Sequence, residues 1–402
     1  MSQSLRVALF ADSFFEPNGV ATLSREFAAF AQQQQRPFLC VRAGAKTQVT
    51  QAGSMTTVEL KRSLASFPLD RELYCDPLLN RYKNWVTAQL RPFEADVVHI
   101  TGPGDMGILG FWVAHTLGIP LAASWHTNLH EYAARRLDKT FSFLPDAWRE
   151  RLTSTAEHQS LRACIRFYRM AYFLMAPNQN MVELLHDRTH KPAYIMEHGV
   201  DTGVYTPERR EARTGPFCIG YVGRLTPEKN VRLIVELERS LIAAGQRDFK
   251  IVMVGDGSEK EWLRKHLQFG EFRGVLRGGE LADAYAAMDV FVFPSLTDTF
   301  GLVLLEAMAS GVPVVVSPET GARVDIQHGI NGFRAADLHG FTDSVLQLMK
   351  NETLRAEMSC AARRLACSKV WPTVFEHLYR TYEVGLEETA ERARGIVHAN
   401  SR

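Results

Sequence analysis

The sequence predicts an α/β protein built from two doubly wound parallel-sheet domains. Three observations carry that expectation. Short apolar runs alternate with longer amphipathic segments along nearly the whole chain. The alternation restarts after a polar stretch at 201–216 that holds Pro207, Gly215 and Pro216 and has no clear period. The length of 402 residues suits two domains better than one or three.

In the first half, "RVALFAD" (6–12) reads as a buried strand, "GVATLSREFAAFAQQQ" (19–34) as a helix and "PFLCVRA" (37–43) as the next strand. "DVVHIT" (96–101), the helix "MGILGFWVAHTLG" (106–118), "PLAASWHT" (120–127), "YFLMAP" (172–177) and "PAYIMEHGV" (192–200) follow. Continuous apolar strands separated by helices predict a parallel sheet with crossover helices. The stretch 201–216 reads as an inter-domain linker. Beyond it come the strand "FCIGYVG" (217–223), the helix "KNVRLIVELERSLIAAG" (229–245) ending in glycine, and the strand "FKIVMVGDG" (249–257). The helix "EKEWLRKHLQFG", the helix end and strand "AYAAMDVFVFPS" (284–295) and the strand "VPVVVS" (312–317) complete the second half. Open sheets of this kind bind ligands at the carboxyl ends of their strands, at the switch point. Two such edges facing one cleft suit a reaction between a nucleotide-linked donor and a second substrate.

Composition excludes some classes and leaves others. Lys plus Arg number 46 and Asp plus Glu 45, so whole-chain charge gives no reason to expect a nucleic-acid partner. Six scattered cysteines, none in a Cys-x-x-Cys pair, fit reduced thiols and the cytosol. The start "MSQSLRVALFADSFF" lacks the long apolar run and cleavage site of a signal peptide. No stretch approaches the ~20 apolar residues that span a bilayer.

Several loops could carry chemistry. In "DSFFEPNGVATLS", Asn18 and Gly19 open a helix whose N-terminus favours an anion; the plain alternative is a capped strand-to-helix turn. In "GYVGRLTPEKN" (220–230), Arg224 and Lys229 at a strand end form a candidate diphosphate clamp, against two solvated cations near Glu228. "VGDGSEKEWL" (254–263) is another Gly loop without the dinucleotide fingerprint, and no Walker pattern is present. His126 follows a buried strand, and His130 lies four residues on without an acidic helper for zinc. "PSLTDTFGLVLLEAMASGVPVVV" (294–316) places Asp298 just before a helix expected from about Phe300, which offers the N–H groups of Gly301, Leu302 and Val303. Glu306 lies inside that helix among apolar neighbours. It either accepts from ligand hydroxyls or forms a buried ion pair with an arginine.

Together these segments resemble the retaining "group one" glycosyltransferases, glycosyltransferase family four, which have the GT-B fold. The resemblance spans nearly the whole chain. It is strongest from "GYVGRLTPEKN" through "LRGGELADAYAAMDVFVFPS" to "DTFGLVLLEAMASGVPVVV", where Asp298 and Glu306 match the family's two acids separated by seven residues. Asp298 departs from the pattern, since glutamate is commoner there.

The resemblance implies a domain at 1–200 on the acceptor side, a donor domain at 201–372, and a final helix from about Trp371 that returns to the first domain. It implies candidate catalytic roles for His126 near the reacting sugar, for Arg224 and Lys229 on the diphosphate, and for Asp298 on sugar hydroxyls. Gly19, Gly223, Phe300, Gly301, Leu302 and Val303 would approach the diphosphate and sugar, Leu276 and Arg277 the nucleobase, and Glu306 the ribose. Gly199 and Asp201 match the family's segment before the linker. No cofactor and no metal are expected, with the nucleotide sugar as co-substrate. Within the family, "SWHTNLHEYAARR" and "LRGGELADAYAAMD" look most like GDP-mannose-dependent α-mannosyltransferases, with UDP-sugar enzymes as the alternative donor class.

The acceptor is the open question. "SFPLDRELYCDPLLNRYKNW" (66–85) and "RRLDKTFSFLPDAWRERL" (135–152) mix aromatic, Leu and Arg/Lys residues. They read either as ordinary amphipathic core helices or as segments lying on an anionic membrane surface. The second reading would make the acceptor a lipid and the protein peripheral on the inner face of the membrane. The alternatives are a UDP-sugar enzyme with a soluble or polysaccharide acceptor, and a non-catalytic nucleotide-sugar-binding protein.

Overall fold

A computed structural model describes residues 4–16, 18–70, 73–126, 146–211, 215–295, 298, 301–318 and 324–400. The chain divides into two compact units. The first comprises 1–197 together with 374–402, and the second comprises 198–373.

The first unit contains β1 (Val7–Ala11), α1 (Gly19–Gln33), β2 (Phe38–Gly44), β3 (Gln48–Ala52), β4 (Met55–Lys61), β5 (Phe67–Asp70), β6 (Leu73–Cys75), α2 (Lys83–Leu90) and β7 (Val97–Ile100). It continues with α3 (Asp105–Leu117), β8 (Leu121–Ser124), α4 (Asp146–Tyr168), β9 (Phe173–Ala176), α5 (Gln179–Thr189) and β10 (Ala193–Ile195). Its main sheet runs β10-β9-β8-β7-β1-β2-β4-β3. Every neighbouring pair is parallel except β3 against β4. All five residues of β1 are buried, as expected for a strand covered on both faces. In α1 the Asn18 side chain caps the helix by accepting from the Ala21 N–H, and Leu23, Phe27, Phe30 and Ala31 turn one apolar face inward. Because β1 lies between β2 and β7, the strand order reverses beside it and opens a crevice at the carboxyl ends.

The second unit contains β11 (Phe217–Val222), α6 (Arg232–Ala243), β12 (Phe249–Val254), α7 (Lys260–His266), β13 (Gly270–Gly274), α8 (Gly278–Ala286) and β14 (Val290–Phe293). Then come α9 (Leu302–Ala309), β15 (Val314–Val316), β16 (Gly332–Arg334), α10 (Leu338–Lys350) and α11 (Glu352–Ser368). Its sheet runs β13-β12-β11-β14-β15-β16 and is parallel throughout. Here the order reverses between β11 and β14.

The last helix, α12 (Trp371–Asn400), belongs to the first unit from Val374. Phe375 stacks on Phe27 with ring centroids 4.8 Å apart. Arg36 pairs with Glu376 at 2.7 Å. The Tyr382 hydroxyl meets His99 Nδ1 at 2.7 Å, and His99 Nε2 meets the Ser124 hydroxyl at 2.9 Å.

Two expectations change. The described part of 201–216 is not a free linker. Tyr205 packs on Tyr285 with centroids 5.8 Å apart, and Arg363 donates to the carbonyls of Thr202 and Tyr205. Segment 66–85 is not one amphipathic helix but the β5–β6 hairpin, a 3-10 turn and the start of α2. Segment 135–152 lies outside the described residues up to 145, and 146–152 open α4. The β3–β4 hairpin is an addition: all of β3 is exposed, so it has no apolar alternation to announce it. All six cysteines are free thiols. Among the described residues no helix is long and apolar enough to cross a membrane.

Candidate active site

In the second unit, the candidate residues gather on loops leaving the strands that flank the switch point. After β11 the backbone turns at Gly223, whose φ of 150° favours glycine. Gly223 N–H donates to Val254 O at 3.0 Å and Leu225 N–H to Asp256 O at 2.9 Å, so this loop runs against the one after β12. A Cβ at Gly255 would stand 1.9 Å from Gly223 O, and one at Gly257 2.2 Å from Leu225 O. The glycines of "VGDG" therefore serve close backbone packing.

The "TPEKN" turn brings Lys229 inward, where it is only 9% exposed. Its ammonium meets Asp298 Oδ2 at 2.7 Å. The loops after β11 and β14 can meet because those strands are neighbours, although the two residues are 69 positions apart. Lys229 is thus not a solvated cation. Arg224 is half-exposed, 3.8 Å from Glu228. An ammonium has three N–H donors, and Asp298 engages one. Ser295, just upstream, has a fully buried hydroxyl with no hydrogen-bond partner among the described residues.

Gly301, at φ 76° and ψ 59°, caps α9 with no side-chain hydrogen bond, so the helix starts at Leu302 rather than at Phe300. Phe300 lies outside the described residues. Leu302 and Val303 form the first turn of α9. Glu306 follows one turn later and has no arginine partner among the described residues: its Oε2 accepts from the Tyr285 hydroxyl at 2.8 Å. Burial raises the Glu306 pKa, and hydrogen bonds from Tyr285 and Tyr205 pull it partly back. Leu276 packs on the core of the unit, and exposed Arg277 is the N-cap of α8, the helix that carries Tyr285. Among the described residues, no hydrogen bond or ion pair joins Leu276 or Arg277 to Lys229, Asp298 or Glu306.

Gly19 and His126 belong to the first unit. Gly19 is the first residue of α1, beside its Asn18 cap. His126 is buried just beyond β8, and burial pushes its pKa down to about 4, which leaves a neutral imidazole at neutral pH. It lines a cavity of about 220 Å³ at the switch point of this unit, together with Asp12, Thr101 and Tyr168. Burial, and then the Asp105 carboxylate, push Asp12 up to about 7 against hydrogen bonds from Gly107 and Gly104. Among the described residues no group of three His, Cys, Asp or Glu side chains is placed to hold a metal ion.

Residues 216–351 match the sequence profile described as Glycosyl transferases group 1, and residues 17–204 that of Glycosyltransferase Family 4. A GDP-mannose-dependent alpha-mannosyltransferase of Mycolicibacterium smegmatis is 33% identical over 312 residues, 76% of this chain and 77% of that protein. This chain belongs to glycosyltransferase family 4.

A GDP-mannose-dependent alpha-mannosyltransferase of Corynebacterium glutamicum is 27% identical to this glycosyltransferase over 94% of it and 88% of the relative. Among solved structures, a sucrose-phosphate synthase from Thermosynechococcus elongatus superposes with a TM-score of 0.69 at 16% identity, covering 94% of this chain and 99% of that one. That likeness places the fold in the GT-B class of paired Rossmann-like domains.

Sequence reasoning passed over two features of the glycosyltransferase. Asp12 was only the residue that ends an apolar run, although an acid at the end of a fully buried strand is a signal in itself. Tyr285 lies in the core, and its hydroxyl holds Glu306.

Proposed function

We propose that this glycosyltransferase moves mannose from GDP-mannose to a hydroxyl acceptor, with retention of anomeric configuration and without a metal ion. The observation that carries the reading is the 33% identity to a GDP-mannose-dependent alpha-mannosyltransferase over three-quarters of both chains. The geometry of the second unit supports it. Lys229, held by Asp298, has two N–H donors left for diphosphate oxygens, and Arg224 adds a second cation. The N-terminus of α9, which has no side-chain cap among the described residues, adds backbone donors. These groups neutralise the leaving diphosphate as its charge develops. Asp298 accepts from sugar hydroxyls and Glu306, oriented by Tyr285, from the ribose. The bond between the anomeric carbon and the phosphate oxygen breaks, and the acceptor oxygen bonds to that carbon on the same face. The acceptor proton passes to the departing phosphate.

Incubation with GDP-mannose, GDP-glucose and UDP-glucose, followed by nucleotide release and NMR of the product, tests this. GDP release from GDP-mannose, an α-linked product and full activity in chelator are expected. Preference for UDP-glucose, an inverted product or loss of activity in chelator would each remove the matching part of the proposal. Exposed Leu64, Leu78 and Trp112, with Lys83 5.0 Å from the Trp112 ring, support a lipid acceptor at an anionic membrane. Failure to co-sediment with anionic vesicles at low salt removes that part.

A further inference from the structure

We propose that Tyr205 is a positioning residue for the donor: together with Tyr285 it fixes the Glu306 carboxylate to receive a vicinal diol, and so sets the preference for a ribonucleotide over its 2′-deoxy form. This rests on the donor reading above and deepens it, because Tyr205 lies in the segment that leads the chain into the second unit, far from Glu306 in sequence.

Glu306 sits on α9 and keeps part of its surface exposed, so a ligand can reach it. Left alone, a glutamate side chain has several rotamers, and fixing one costs conformational entropy at the moment of binding. Two phenols remove that cost beforehand. The Tyr285 hydroxyl donates to Oε2 at 2.8 Å, and the Tyr205 hydroxyl hydrogen-bonds the same carboxylate. The two rings pack edge to face, with centroids 5.8 Å apart and planes at 79°. Burial, and then the Glu306 charge, raise Tyr285 well above its usual pKa, so it stays a donor.

The count of acceptors selects the ligand. A carboxylate offers about four acceptor sites, so two phenol donors leave about two. A vicinal diol, such as the 2′- and 3′-hydroxyls of a ribose, supplies two donors to match. A site built to pair a hydroxyl penalises the analogue that lacks it, because the acceptor is then left unmet.

Tyr205 is itself held from both sides. Asp201 Oδ1 accepts from Gly203 N–H at 2.9 Å and Val204 N–H at 3.1 Å, and Tyr205 N–H donates to Asp201 O at 2.9 Å, which folds the segment into a turn. Arg363 on α11 donates to Tyr205 O at 2.7 Å, to Thr202 O at 3.0 Å and to the carbonyl of Ala309, the last residue of α9. One guanidinium therefore grips both the backbone of Tyr205 and the helix that carries Glu306. Arg209 is the second tie. It donates to Val204 O at 2.8 Å and reaches Asp283 at 2.8 Å, on the helix that carries Tyr285. Packing the turn against the unit needs the Tyr205 ring; the hydroxyl is what reaches Glu306.

The test titrates the full chain with GDP and with 2′-deoxy-GDP by calorimetry and reads the ratio of the two affinities. Wild type is expected to bind GDP at least tenfold more tightly than 2′-deoxy-GDP. Tyr205→Phe keeps the ring and should lower the ratio to about threefold or less, with 2′-deoxy-GDP affinity within twofold of wild type. Loosened packing alone would weaken both nucleotides alike and leave the ratio unchanged. Arg363→Met, which frees the Tyr205 backbone, should lower the ratio in the same way and decides the matter if Tyr205→Phe does not fold. A wild-type ratio that survives in the folded Tyr205→Phe variant, or in Arg363→Met where that one fails, overturns this proposal alone. Wild type that binds both nucleotides equally overturns the ribose role of Glu306 and this proposal with it. Absent GDP binding in wild type defeats the donor reading itself, so the three failures are distinct.

Discussion

Asp298 and Lys229 hold each other before any donor arrives, and that makes Asp298 both an orienting group and a candidate sugar contact. At 2.7 Å the gross attraction is about 6 kcal/mol for an effective dielectric of ~20. The side chains keep only 11% and 19% of their exposure, so desolvation takes back most of it. A net coupling of about 2 kcal/mol remains, roughly 30-fold in affinity. A charge-assisted hydrogen bond from Lys229 to the diphosphate is worth about 1.5–3 kcal/mol. If Asp298 delivers Lys229 to the diphosphate, Lys229→Met and Asp298→Ala remove the same interaction. Calorimetric GDP titrations of wild type, both single variants and the double variant form the cycle. Each single variant should bind GDP ~30-fold more weakly, and the double variant no worse than the weaker single. Multiplying effects would refute the orienting role. So would tighter GDP binding in Asp298→Ala, the sign of a lysine freed rather than misplaced. GDP-mannose separates the second role: Asp298→Ala should lose about tenfold more affinity for GDP-mannose than for GDP. Equal losses would leave Asp298 as an orienting group alone.

Two further outcomes follow from the buried acids. Tyr285→Phe keeps the core volume but removes the hydroxyl donated to Glu306, a bond that lowers a pKa already raised by burial. GDP-mannose affinity should fall about tenfold, and its acid limb should move to higher pH; unchanged titrations across pH 5–8 would detach Tyr285 from the donor site. Asp12, pushed up to about 7, binds a proton in the folded state at pH values where the unfolded chain does not, so it costs stability as pH rises from about 4 to about 7 and the loss persists above. Asp105, Asp76, Cys75, Tyr168 and His126 also line this cavity, and none of them is removed by Asp12→Asn. That variant should match wild type near pH 4 and exceed it at pH 8, by at most about 4 kcal/mol. Thermal midpoints that run parallel across the range would show that Asp12 is not held in this strained state.

What could be read from the sequence was what is local. The alternation of "RVALFAD" and "GVATLSREFAAFAQQQ" is a strand and a helix because period and capping act within a few residues, and Asn18 caps where it was expected to. The start of α12 at Trp371 was visible through the family resemblance, but its aromatic contact with Phe27 is not a local property. The exposed strand β3 was missed because it has no apolar face to reveal it. The candidate site follows the same division. Arg224, Lys229, Asp298 and Glu306 could each be named, since an ion at a strand end is a local anomaly. Their partners could not, because partnership depends on which strands are neighbours. Lys229 meets Asp298 only because β14 lies next to β11, skipping two intervening strands, and Asp12 reaches the Gly104 loop only because β7 lies next to β1. Both juxtapositions occur where the strand order reverses. An acid that ends a buried strand is ambiguous alone; at a reversal of strand order it faces a crevice, and only the topology supplies that second half of the signal.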